Sequence, residues 1–155
     1  MKKFFLLIFI FYLSLIVSSY GAASSGSSSS SNYDKGASLI KRAKKLESKG
    51  KIEKANKRYE KALKYLMKSN KKNPNQADTL NYLGFALRKL GNFEEAEKYY
   101  LEGLSIKPDH LGINEYLGEL YIQTNRIDLA KERLEVLKDC NCEEYDELKE
   151  LIENN

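Results

Sequence analysis

The sequence predicts an all-α protein, a solenoid of three stacked helix pairs closed by a further helix. Three observations carry this prediction. Small and apolar residues recur at one spacing of 34 positions, apolar stripes run at intervals of three or four residues, and Gly, Asn and Pro stand where such helices have to end.

The repeat is clearest when Ala77–His110 is set over the chain from Leu111 onward. Leu80, Leu83-Gly84, Leu87, Gly91, Phe93, Ala96, Tyr100, Gly103 and Pro108 form the first set. Asn114, Leu117-Gly118, Tyr121, Asn125, Ile127, Ala130, Leu134 and Leu137 follow 34 residues later, and Tyr116 answers Tyr82. Matches of this number at one spacing are not accidental.

Each residue type has a physical reason. Leu80, Leu83, Leu87 and Leu90 make one apolar helical stripe. Gly84 sits inside it, where a helix prefers alanine by about 1 kcal/mol, so the position points to close approach of a second helix. Gly91-Asn92 breaks the first helix, because both residues tolerate left-handed backbone. Glu94 and Glu95 open the second, where acids favour the positive end of the helix dipole. Ala96, Tyr99 or Tyr100, Gly103 and Leu104 face inward, and Pro108, lacking an N–H, stops the helix. Neither helix of such a pair buries its apolar face alone, so the pairs must stack.

The first unit departs from this pattern. Leu39, Ala43 and Leu46 supply its first helix, Gly50 the turn, and Ala55, Tyr59, Ala62 and Leu63 its second. Pro74 falls 19 residues after Ala55, whereas Pro108 falls 12 after Ala96. The surplus equals about two helical turns, which predicts a longer second helix near Tyr65, Leu66 and Met67 with Ser69 to Asn75 as a frayed exit. At the other end, Tyr145, Leu148, Leu151 and Ile152 share one face of a terminal capping helix over 143–153.

Tyr82-Leu83-Gly84-Phe85-Ala86, Gly91-Asn92-Phe93-Glu94-Glu95-Ala96 and Ile106-Lys107-Pro108 closely resemble the tetratricopeptide repeat. The resemblance implies a right-handed α-solenoid, with repeats over about 36–76, 77–110 and 111–139. It also implies that the first helices of the pairs line a concave groove that grips a peptide. By that resemblance the groove positions are Asp78, Asn81, Phe85, Arg88 and Lys89 in the central unit. Glu115, Glu119, Ile122 and Gln123 follow in the third, with Ile40 and Lys44 contributed by the first. The bland reading of any one of these is an ordinary solvated helix residue. One branch of the family clamps a C-terminal carboxylate, using asparagine where Tyr82 stands and basic residues where Gly112 and Tyr116 stand. That clamp is absent.

The N-terminus reads as an export signal. Lys2 and Lys3 precede the 14-residue apolar run Phe4–Val17, and small residues follow. The run is short for a transmembrane helix, which needs about 20 residues. Cleavage after Gly21 or Ala23 is expected, giving a signal peptide over 1–23, a serine-rich flexible linker over 24–33 and a folded domain over 34–155. The expected location is periplasmic or secreted, with no membrane contact beyond the signal.

Loss of Lys2 and Lys3 leaves 24 Lys+Arg against 22 Asp+Glu, a balance that argues against a nucleic-acid binder. The early lysines, interrupted by Glu47, Glu53 and Glu60, read as a solvated surface. The lone His110 reads as a surface residue near a helix start. No Ser/His/Asp set, His-Glu-x-x-His or phosphate-cradling loop is present, so the expectation is a non-enzyme without cofactor or metal.

Cys140-Asn141-Cys142 stands apart. Three readings compete: a local, redox-labile disulfide, two packed structural thiols, or a soft-metal pair. With Glu143-Glu144-Tyr145 it also resembles a group of short exported repeat proteins, a likeness that implies no activity. The leading functional expectation is an adaptor or assembly module that binds a polypeptide in its groove. Thiol-redox or metal handling at Cys140/Cys142 is one alternative. A structural subunit that self-associates through its groove or its open N-terminal face is another, and the oligomeric state stays open.

Overall fold

The computed structural model of the chain describes residues 31–155. The apolar N-terminal segment, the expected cleavage position and most of the serine-rich stretch lie outside the described residues. Seven helices follow in order: α1 (Asn32–Glu47), α2 (Ile52–Lys72), α3 (Ala77–Lys89), α4 (Phe93–Ile106), α5 (Leu111–Gln123), α6 (Ile127–Leu137) and α7 (Glu143–Glu153). No strand occurs among the described residues. α1/α2, α3/α4 and α5/α6 pack as pairs, α3 joins the first pair to α5, and α7 lies on α5 and α6. None of the described helices is long and apolar enough to cross a membrane.

The turns inside the pairs use left-handed backbone at equivalent places: Gly50 (φ 68°), Gly91 (φ 83°) and Asn125 (φ 59°). α4 begins at Phe93 with Glu94 and Glu95 in its first turn and ends before Pro108. The chain folds earlier than the serine-rich linker over 24–33 would allow. Ser31 caps α1: its hydroxyl accepts from the Asp34 N–H and the Asp34 carboxylate accepts from the Ser31 N–H. Such reciprocal capping satisfies two otherwise orphaned donors and starts the helix at Asn32.

α2 has 21 residues where α4 has 14, so the longer second helix is present. The expected frayed exit from Ser69 is corrected. The helix runs to Lys72 because Leu66 and Ser69 are buried. Leu66 packs on Gly36 of α1, where an added Cβ would come within 2.6 Å of the leucine side chain. The same kind of contact recurs at Gly84 against the Tyr100 ring and at Gly118 against Leu148. The last pairing places α7 on the α5 surface and so determines what the end of the stack looks like.

The core divides into two continuous groups. Leu39, Ile40, Ala43, Ala55, Tyr59 and Leu66 anchor the first, and Tyr100, Ile113, Leu117, Leu120 and Ala130 the second. Each fully buried leucine or isoleucine contributes about 1.5–3 kcal/mol, offset by the entropy of ordering the chain. Asn114 is fully buried. Its amide donates to the carbonyls of Pro108 (3.0 Å) and His110 (3.1 Å), tying the α4–α5 junction together.

Candidate functional site

α1, α3 and α5 run side by side and project side chains into one cleft of about 600 Å3. Lys44, Glu47 and Ser48 come from the end of α1; Phe85, Arg88 and Lys89 from α3; Glu115, Tyr116 and Glu119 from α5. α7 closes the far side with Glu147, Glu150, Leu151 and Asn154. A smaller depression beside it, lined by Ala37, Ile40, Lys41, Lys44, Tyr82 and Tyr116, continues the groove toward the start of the stack.

The floor is aromatic and cationic. The Phe85 and Tyr116 rings are 4.7 Å apart. Lys44 Nζ lies 5.4 Å from the Phe85 centroid and 5.7 Å from that of Tyr116, and the Arg88 guanidinium takes the same distances on its own side. Cations over ring faces are attracted by the ring quadrupole, by about 0.5–2 kcal/mol each depending on desolvation.

Two of the three cations are used internally. Arg88 Nη1 stands 2.7 Å from Glu119 Oε2, with only 1% of the Arg88 side chain exposed. Burial works against its charge, but Tyr100 and Glu119 outweigh burial and raise the pKa of the guanidinium above its ordinary value. Its Nε is left without a hydrogen-bond partner, as is the fully buried Tyr100 hydroxyl. Lys89 pairs with Glu47 at 2.5 Å, and Glu47 also accepts the Tyr59 hydroxyl at 2.8 Å. Burial alone would raise the Glu47 carboxyl, yet these two hydrogen bonds hold it below the ordinary carboxylate range. Lys44 has no carboxylate at ion-pair distance among the described residues; its Nζ reaches the Tyr116 hydroxyl at 3.5 Å.

Glu115 is 4% exposed. Burial, the hydrogen bond with Glu147 and the charge of Glu119 push its pKa up to about 9, with Lys44 pulling the other way. At neutral pH it is therefore a protonated carboxyl, able to donate a hydrogen bond. The cleft thus offers an aromatic floor, one free ammonium, the Glu115–Glu147 carboxyl pair and the Glu150 side chain.

The structure brings six of the expected groove residues together: Lys44, Phe85, Arg88, Lys89, Glu115 and Glu119. Four others stand elsewhere, and Ile40, buried in the first core group, lines only the adjoining depression. Asp78 bonds His110 Nε2 at 3.0 Å, outside the cleft. Asn81 is buried against Gly112, with its Oδ1 unpartnered. Ile122 packs on the second core group because its helix turns that face toward the interior. Gln123 is exposed and not among the cleft residues. Arg88 lies in the cleft floor and is buried rather than solvated. His110 is also buried, correcting its reading as a surface residue. It caps α5, Nδ1 accepting the Ile113 N–H at 3.2 Å, which leaves Nε2 to donate to Asp78.

Tyr116 and the α7 residues were not among the expected groove positions. The pairing of Tyr116 with Tyr82 at the repeat spacing was the available signal for the first. For α7 there was none, since an amphipathic cap does not state which side of α5 it will cover. Cys140 and Cys142 are joined in a disulfide around Asn141, whose φ of 48° a short polar side chain tolerates. No cluster of three or more His, Cys, Asp or Glu able to hold an ion occurs among the described residues.

A family model described as tetratricopeptide repeat matches residues 34–109. The seven-helix succession carries the same architecture through the third pair. The chain belongs to the tetratricopeptide repeat family. A tetratricopeptide repeat protein from Parabacteroides merdae has a similar solved structure, with TM-score 0.55 and 16% identity over 77% of this chain and 59% of that one. The Yersinia enterocolitica type III secretion translocator chaperone SycD gives 0.52 and 16% over 79% and 90%. The Arabidopsis OM64 tetratricopeptide repeat domain gives 0.51 and 14% over 79% and 98%. At these identities the likeness establishes the fold alone. Among curated proteins, human protein O-mannosyl-transferase TMTC3 is 38% identical over 66 residues, 43% of this chain. The match spans 7% of that transferase. Tetratricopeptide repeats of this kind make protein–protein interaction modules.

Proposed function

We propose that this tetratricopeptide repeat protein holds a polypeptide segment in the cleft between α1, α3, α5 and α7, and that it does so without catalysis, in an exported compartment. The observation that carries the reading is convergence. Four helices, three from successive units and one from the cap, supply a ring pair, a free cation and acidic side chains around one open groove. Small, well-placed polar groups around an apolar floor are what peptide recognition requires. The distribution of charge gives the ligand a direction. Lys44 suits an acidic side chain or carbonyl, Phe85, Tyr116 and Leu151 an apolar residue, and Glu147 with Glu150 a basic one. Export is supported by the Lys-Lys, apolar run and small-residue exit at the N-terminus.

The test is affinity capture from the exported fraction of the source cell, with partner identification by mass. Lys44→Glu and Leu151→Arg change cleft groups without removing a buried ion pair. Loss of one and the same partner in both variants is expected. A partner retained equally by both would remove the cleft from the account.

A further inference from the structure

We propose that copies of this chain associate head to tail, with the lysine-rich face of α2 in one copy receiving the acidic face of α7 in another. The starting observation is a separation of charge along the stack. Residues 32–72, which hold α1 and α2, contain 15 Lys and Arg but only four acids, Asp34, Glu47, Glu53 and Glu60. All 15 are exposed. Among the described residues, none of them lies at ion-pair distance from a carboxylate, whereas of the nine later cations all but Lys98 and Lys107 do. From residue 127 onward the balance reverses, with ten acids against four cations. Each of those four is already paired within its own segment.

The exposed charges are ordered, and of those in the two stripes only Glu153, 4.0 Å from Lys149, lies at ion-pair distance from an opposite charge. Lys54, Lys57, Lys61, Lys64, Lys68 and Lys71 alternate by three and four residues along α2. At 1.5 Å per residue they form one stripe about 25 Å long. The stripe lies opposite the buried face of Ala55, Tyr59, Ala62, Leu66 and Ser69. On α7, Glu143, Asp146, Glu150 and Glu153 alternate in the same way, opposite buried Leu148, over about 15 Å. Exposed apolar residues occur in both segments, Met67 on α2 and Val136 on α6.

One copy cannot bring the two stripes together. α2 packs only on α1 and α3, and α7 only on α5 and α6. A second copy can, and the contact joins two different surfaces. Each added copy then leaves one lysine face and one acidic face free, so the association continues as a ring or an open chain. A phospholipid surface could meet the lysine stripe, but it would leave the acidic stripe of α7 without a counterpart. Complementarity written into one sequence favours the second copy.

Sedimentation of the purified chain tests this. The chain at low salt is expected to sediment with a mass that grows with concentration. That growth is lost at about 1 M salt, where the screening length falls to about 3 Å. Lys57→Glu/Lys61→Glu/Lys64→Glu and, separately, Glu143→Lys/Asp146→Lys/Glu153→Lys each abolish the growth. Mixing the two variants restores association, because one now carries two acidic ends and the other two basic ends. The α7 variant also excludes the N-terminal apolar segment as the cause. A monomer at every concentration in low salt overturns the proposal. So does a mixture that stays monomeric, or binding of vesicles of equal phosphatidylglycerol and phosphatidylcholine by a chain that does not self-associate.

Discussion

The Tyr100 ring of α4 lies directly on the backbone of Gly84 in α3, so close that a Cβ at that position would meet ring carbons at 2.5 Å. Tyr100 is fully buried and has no room to retreat. Gly84→Ala should therefore lower stability by about 1–3 kcal/mol through overpacking, although alanine is the better helix former. Denaturant unfolding monitored by circular dichroism measures it. An alanine variant as stable as the parent would mean that the pair is looser than described.

Arg88 and Glu119 join the second and third pairs across the cleft floor. Removing one member leaves the other buried and uncompensated. Glu119→Ala is expected to cost about 3–5 kcal/mol, while Arg88→Met with Glu119→Leu should recover most of it. The comparison is read from the two unfolding midpoints. Arg88 is for the same reason a poor choice for probing ligand binding, since its loss disturbs the fold first.

Glu115 makes stability depend on pH. The unfolded chain releases this proton near 4.5, whereas the fold holds it to about 9. Between those values the native state binds more protons, so stability falls as pH rises through the window. Glu115→Gln should flatten that slope and add on the order of 1–3 kcal/mol at pH 8. Thermal melts of both proteins from pH 5 to about 9 check the sign. A variant with the same slope as the parent would assign the dependence to other groups.

The lysine stripe of α2 should make the fold salt-sensitive. Like charges three and four residues apart each cost about 0.2–0.5 kcal/mol, and salt screens them. Melting temperature, measured at a concentration where the chain is monomeric, should rise with added salt. Lys61→Glu should stabilise the fold at low salt by roughly 0.5–1 kcal/mol, because it turns repulsion from Lys57, Arg58 and Lys64 into attraction.

Most of the fold was legible because its signals are local or periodic. Gly91, Pro108 and the Leu80–Leu87 stripe act within a turn or two of themselves, and Gly84 announced a close neighbour without naming Tyr100. The two extra turns of α2 followed from the displacement of Pro74. The cleft was legible only in part. Lys44, Phe85 and Glu115 could be placed through the resemblance to the repeat family, since their helix face is set by the repeat. Asp78, Asn81 and Ile122 share those helices but are claimed by His110, Gly112 and the core, contacts between distant segments that periodicity does not encode. The approach of α7 depends on Gly118 accepting Leu148, again a tertiary fit rather than a pattern.

The claim that the cleft between α1, α3, α5 and α7 is where a polypeptide binds is tested most directly by site-specific photocrosslinking. A crosslinking amino acid at Ser48, in the cleft, is compared with one at Gln123, outside it, during capture from the exported fraction. The account predicts a discrete adduct of one partner at Ser48 and none at Gln123. Equal adducts at both positions, or an adduct at Gln123 alone, would contradict it.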